Sequence, residues 1–128
     1  MAGLFEGRCL CGAVRYRVAG PPRSPHWCHC EICRRATGAP AAAWANFPVA
    51  SLQWLGAAPD WYESSPRVRR GFCGACGGSL CTLEDGDALI SILIGSLDRA
   101  AEVAPDYHIW TRRQLPWLQI ADGKPRHR

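Results

Sequence analysis

The feature that most constrains this 128-residue chain is the spacing of its eight cysteines. Seven fall into three tight groups. Cys9 and Cys11 form C-x-C, Cys28, Cys30 and Cys33 form C-x-C-x-x-C, and Cys73 and Cys76 form C-x-x-C; Cys81 stands alone. Cysteines one or two residues apart seldom meet the geometry of a relaxed disulfide. Their thiolates suit a borderline-soft ion, and close pairs on separate turns are the usual way to build a tetrahedral zinc site.

The pairs Cys9/Cys11 and Cys73/Cys76 each interrupt a β-like pattern, as a knuckle does. Gly12, Gly74, Gly77 and Gly78 permit the tight turns. Four cysteines in two pairs predict a closed, structural zinc that clamps distant parts of a small fold. The triplet differs. Three sulfurs within six residues cover one face of an ion, and a fourth ligand from elsewhere would close it. If none does, the position is open, as in a catalytic zinc. His26, His29 and Cys81 are the candidates. His29 lies between two ligands, so its ring is expected to point away from the metal they share. His26 faces a weaker form of the same problem, and Cys81 reads more simply as a buried structural cysteine.

The remaining pattern is one of short strands. Residues 5–9 and 13–18 read as strands joined by Cys9-Leu10-Cys11-Gly12, with Val14, Tyr16 and Val18 alternating against Arg15 and Arg17. Gly20-Pro21-Pro22 breaks the second. Residues 30–37 suit a short helix closed by Gly38 and Pro40. Residues 41–47 and 52–55 look extended, 59–65 turn-like, and 68–72 a strand entering the second knuckle. Residues 79–83 return from it, and residues 88–94 form an apolar run suited to a central strand. Residues 107–110 and 117–120 are short extended candidates. These signals predict one mainly β domain over residues 1–128, with one or two helical turns.

No apolar run of about 18 residues is present, so no membrane span is expected. Residues 1–10 lack the apolar core of an export signal, which places the protein in the cytoplasm, where thiols stay reduced. The formal charge of +4 counts cysteines as neutral. Seven thiolates and two zinc ions would bring it to about +1. The apparent basicity therefore argues weakly for nucleic acid.

Four blocks resemble the glutathione-dependent formaldehyde-activating enzyme (GFA) family: GRCLCGAVRY from Gly7, CHCEICRRATGAP from Cys28, FCGACGGSL from Phe72 and HIWTRRQLPW from His108. The resemblance implies a β-tent-like fold of twisted antiparallel sheets around zinc knuckles. It implies two zinc ions per chain, a structural one on Cys9, Cys11, Cys73 and Cys76 and a catalytic one on Cys28, Cys30 and Cys33. It also implies a carbon–sulfur lyase, an S-(hydroxymethyl)glutathione synthase, that joins glutathione or a similar small thiol to formaldehyde or another small carbonyl.

The charge of such a triplet bears on this chemistry. Three thiolates and a divalent ion sum to −1, which weakens a Lewis acid and leaves a further thiolate nucleophilic. A developing alkoxide would need a proton or hydrogen bond, for which His29, Thr37 and Arg35 are candidates. Thr37 reads equally as a helix end, and Arg34 and Arg35 as a solvated face. Arg35, Arg70, Arg112 and Arg113 could meet the carboxylates of glutathione. Trp27 and Trp44 flank the triplet, and His108 reads as a satisfied structural histidine. The competing class is a non-catalytic zinc module contacting nucleic acid or protein, since some GFA relatives are chromatin-associated. Its cations would be Lys124, Arg126, His127 and Arg128 with Arg67, Arg69 and Arg70. The low corrected charge and the lack of a recognition helix count against it.

Overall fold

The computed structural model describes residues 3–128; Met1 and Ala2 of the expected domain lie outside the described residues. The described residues fold into ten strands and one helix: β1 (Leu4–Arg8), β2 (Arg15–Ala19), β3 (Arg23–Cys28), α1 (Glu31–Thr37), β4 (Ala42–Pro48), β5 (Gln53–Trp54), β6 (Asp60–Ser65), β7 (Val68–Phe72), β8 (Ser79–Glu84), β9 (Leu89–Leu93) and β10 (Tyr107–Ile109). Single 3-10 turns punctuate the connections. The strands make a small sheet in the order β1-β2-β5 and a large one in the order β10-β3-β4-β9-β8-β7-β6.

The core lies between these sheets. Phe5, Val14, Tyr16 and Val18 from the β1–β2 region meet Ala45, Phe47, Leu80, Ile90 and Ile92 of the large sheet, all buried. Each Val, Leu, Ile or Phe side chain among them contributes about 1.5–3 kcal/mol by leaving water. The alternation at Val14, Tyr16 and Val18 thus faces the core as its period requires. Gly7 makes room for Tyr16, because a Cβ there would overlap the Tyr16 ring. The Tyr16 hydroxyl donates to Ser96 Oγ at 2.6 Å, and Ser96 Oγ donates in turn to Leu93 O at 2.8 Å. The apolar run at residues 88–94 becomes β9, the middle strand of the large sheet.

Two expectations need correction, those for residues 59–65 and 117–120. Residues 59–65 are not a turn: β6 pairs antiparallel with β7 at the edge of the large sheet. Its period is masked because an edge strand buries little, and Tyr62 is exposed. The segment after Gly20-Pro21-Pro22 forms β3, which carries Pro25 beside a register shift between Arg23 and His26. A bulge is where a sheet tolerates a residue without an N–H. The twisted sheets are antiparallel as expected, apart from one edge pairing in which β10 runs parallel to β3. Residues 117–120 form no strand, and Trp117 is exposed.

Candidate metal centres

The first cluster joins two knuckles that are far apart in sequence. Cys9 and Cys11 follow β1, and Cys73 and Cys76 sit between β7 and β8; all four sulfurs lie within 4.8 Å of one another. Backbone N–H groups aim at them: Val14 N at 3.4 Å from Cys9 Sγ, Ala13 N at 3.5 Å from Cys11 Sγ and Cys76 N at 3.4 Å from Cys73 Sγ. Gly77, at φ +77°, lets its own N–H return to Cys73 O at 2.7 Å. Hydrogen bonds from the Cys11 and Gly78 backbones to its sulfur bring the Cys76 thiol down to about 6. These backbone donors would stabilise negative charge on the sulfurs they reach, although without a cation, and despite the Ala13 N–H, the Cys9 sulfur beside it leaves the Cys11 thiol raised to about 11.

The spacing of sulfurs fits a metal. Cys9 and Cys11 are 3.7 Å apart and Cys11 and Cys73 are 3.8 Å apart, so no disulfide links them. A tetrahedron of sulfurs about 2.3 Å from its centre has edges of about 3.8 Å.

The second cluster is local. Cys28 ends β3, Cys30 is the N-cap of α1, and Cys33 lies one turn in; their sulfurs also converge within 4.8 Å. Cys30 Sγ accepts the Cys33 N–H at 3.3 Å, so one ligand atom also starts the helix. At the other end Gly38 takes φ +73°, and its N–H bonds Arg34 O, closing α1. The neighbouring Cys28, then Cys33, hold the Cys30 thiol far below the usual thiol range, with the Arg70 charge adding in the same direction.

Among the described residues no fourth His, Cys, Asp or Glu joins this triplet. His26 Nδ1 donates to Ser24 O at 2.7 Å, and its ring stacks on Tyr107. The His29 ring turns away to His108, with Nε2 2.9 Å from His108 Nδ1. His108 Nε2 lies 2.8 Å from Asp122 Oδ2. Cys81 stands apart, packed behind Gly71, where burial pushes its thiol up to about 12.

Arg70, a sequence candidate for the carboxylates of glutathione, stands beside the triplet, a contact that sequence reasoning missed. Its guanidinium lies 3.8 and 3.9 Å from Cys33 Sγ, its Nε donates to Ser64 Oγ at 3.1 Å, and it sits over the Trp44 ring. No carboxylate pairs with it among the described residues. The run Arg67, Arg69, Arg70 marked the region in the sequence, but nothing there tied it to Cys33. Several other arginines are engaged elsewhere: Arg34 and Arg35 with Glu31, Arg112 over Trp110, and Arg126 with Gln114 and Ile120 O. Thr37 Oγ1 donates to Cys33 O and accepts from Ala39 N, which is the work of a helix end. Trp44 packs with Cys28 and Cys33, whereas Trp27 does not.

An open cleft of about 830 Å³ runs past Arg8, Leu10, Thr37, Gly77, Ser79 and Asp98. It shares Ala36, Thr37, Gly77, Ser79 and Leu93 with an inner chamber of about 200 Å³, whose wall includes Trp44, Tyr62, Arg70 and Cys81. Arg70 and Trp44 thus touch both the chamber and the triplet.

A mainly β domain with two converging sulfur clusters, each able to hold a metal ion, defines the class. The model of the family described as "Glutathione-dependent formaldehyde-activating enzyme" matches residues 4–113, and the chain belongs to that family. A Halomonas elongata protein named "Putative glutathione-dependent formaldehyde-activating enzyme" is 53% identical over 36 residues, which span 27% of this chain and 23% of that protein. A crystal structure of a Rhodobacter sphaeroides protein shares the fold at a TM-score of 0.59 and 20% identity, covering 96% of this chain and 99% of that one.

Proposed function

We propose that this chain is a zinc-dependent carbon–sulfur lyase that joins glutathione, or a similar small thiol, to formaldehyde or another small carbonyl. In this reading residues 1–128 are one domain working in the cytoplasm with two zinc ions. Cys9, Cys11, Cys73 and Cys76 would hold the structural ion, and Cys28, Cys30 and Cys33 the reactive one. The observation that carries the reading is the triplet: three sulfurs converge, no fourth ligand closes them among the described residues, and Arg70 and Trp44 connect them to a chamber opening on a cleft. Family membership supports the substrate pair.

Zinc bound there would let a thiol lose its proton near neutral pH, where a free thiol of pKa about 8.5 is mostly neutral. The residues of the chain do the rest. Arg70 offsets the single negative charge that three thiolates leave around a divalent ion. Trp44, Leu93 and Phe72 give the chamber an apolar wall that excludes water. The long cleft, with Arg8 and Asp98 at its side, accommodates the peptide body of a thiol such as glutathione. The reaction balances without a further reactant: the sulfur–carbon bond forms, the carbonyl π bond opens, and the thiol proton ends on the oxygen.

Exchange NMR of formaldehyde with glutathione tests this. The protein should speed formation of S-(hydroxymethyl)glutathione above the spontaneous rate, and Cys30→Ser should abolish the gain. A rate equal to buffer alone, with both metals bound, would overturn the proposal.

A further inference from the structure

A buried chain of polar groups runs from the C-terminal segment to the triplet. Asp122 Oδ2 lies 2.8 Å from His108 Nε2, and His108 Nδ1 lies 2.9 Å from His29 Nε2. His108 is 0% and His29 1% exposed. His29 stands between Cys28 and Cys30, and its own N–H bonds Ile109 O at 3.1 Å. The strand carrying His108 is gripped from the other side: His108 N donates to Pro125 O, and His127 N donates to His108 O.

The chemistry of imidazole orders this chain. A neutral ring has one N–H and one lone pair. Asp122 is held below the usual carboxylate range, first by the Lys124 N–H and then by His108, so it is an acceptor. His108 Nε2 therefore carries the proton and donates to it. His108 Nδ1 is then a lone pair, so His29 Nε2–H donates to His108. His29 Nδ1 is left as a lone pair, and it is buried with no hydrogen-bond partner. A buried ring that keeps one acceptor unsatisfied is held by what its other nitrogen does.

We infer that Asp122 and His108 are positioning residues for the triplet. By fixing the tautomer and orientation of His29, they hold the Cys28–Cys30 segment so that its sulfurs stay converged, and they tie the C-terminal segment to the reactive centre. The arrangement has the logic of carboxylate–histidine pairs that orient metal ligands, except that the ring acts through the backbone flanked by two ligands. The inference rests on the triplet being a metal centre, and the test separates the two ideas.

The experiment uses the full chain loaded with zinc, with Asp122→Ala and Asp122→Asn beside wild type. Two readings are taken: histidine 15N NMR, and the two phases of zinc release to a chelator. Wild type should show His29 Nδ1 as a pyridine-type nitrogen and Nε2 as protonated. Asp122→Ala should redistribute the His29 tautomers and speed release from the triplet by about tenfold, the lower end for loss of a supporting partner. Release from the four-cysteine cluster should not change, which also reports that the variant is folded. Asp122→Asn, which keeps an oxygen for His108 Nε2–H, should shift release less. Equal acceleration of both phases, or unchanged tautomers and rates, would overturn the inference alone. A wild-type triplet that binds no metal would overturn the metal reading and take the inference with it.

Discussion

The two cysteine clusters are made of the same atoms and are built in opposite ways. Cys9, Cys11, Cys73 and Cys76 come from turns of different sheets, and the contact of Cys11 with Cys73 spans 62 residues. Cys28, Cys30 and Cys33 come from one strand end and the first turn of one short helix. Closing the first cluster joins the β1–β2 sheet to the large one; closing the second orders only its own segment. A metal in the first therefore contributes to folding of the whole chain, and a metal in the second contributes to its own pocket.

The largest expected effect follows from that contrast. Cys73→Ser should unfold or aggregate the protein, since structural zinc contributes on the order of 10 kcal/mol. Cys30→Ser should leave a folded chain without activity, because a serine hydroxyl also caps a helix. Circular dichroism and thermal melts measure this, and equal disruption by both changes would break the comparison.

Next in size is the order of metal loss. A mild chelator should remove one ion per chain from the triplet before it touches the four-cysteine cluster. Single-phase release of both ions would erase the difference between the two sites.

A third test sharpens the contrast. With cobalt in both sites, sulfur-to-metal charge-transfer absorption should rise by one sulfur when reduced glutathione is added and stay constant with oxidised glutathione. Cys81→Ala should leave the spectrum unchanged, because Cys81 stands outside both clusters. A spectrum already saturated, and lowered by Cys81→Ala, would make both centres closed and favour the non-catalytic module.

The smallest effect concerns Cys81 itself. Its thiol, raised to about 12 by burial, stays protonated through neutral pH and ionises only as pH climbs toward that value. Mass spectrometry after alkylation of the native, metal-loaded protein at pH 8 should find Cys81 unmodified. Cys81→Ala should cost about 1 kcal/mol in urea unfolding, the worth of one small buried group. Rapid native labelling would place Cys81 on an accessible wall of the chamber.

Both clusters were legible in the sequence because ligand spacing is a local property. Cys28, Cys30 and Cys33 are brought together by one strand end and one helical turn, and the two knuckles announce themselves by cysteine and glycine. What acts on those sulfurs was not legible. Arg70 reaches Cys33 across 37 residues, and His29 meets His108 across 79. Such meetings are set by sheet register, here the parallel pairing of β10 with β3 and the long climb from β3 to β7. The strands β3 and β6 escaped for a related reason. A bulge around Pro25 and an exposed edge at Tyr62 both weaken the period on which sequence reading depends.

The cleft has a lining that crosses the boundary between scaffold and reaction. Leu10, Gly77 and Gly78, which flank the four-cysteine cluster, form part of its wall. Leu10 is 84% exposed, so its side chain is not needed to hold the core or the sulfurs. Lineages of such proteins can therefore remodel the knuckle loops around fixed cysteines. A change of substrate would then leave no trace in the metal-binding pattern.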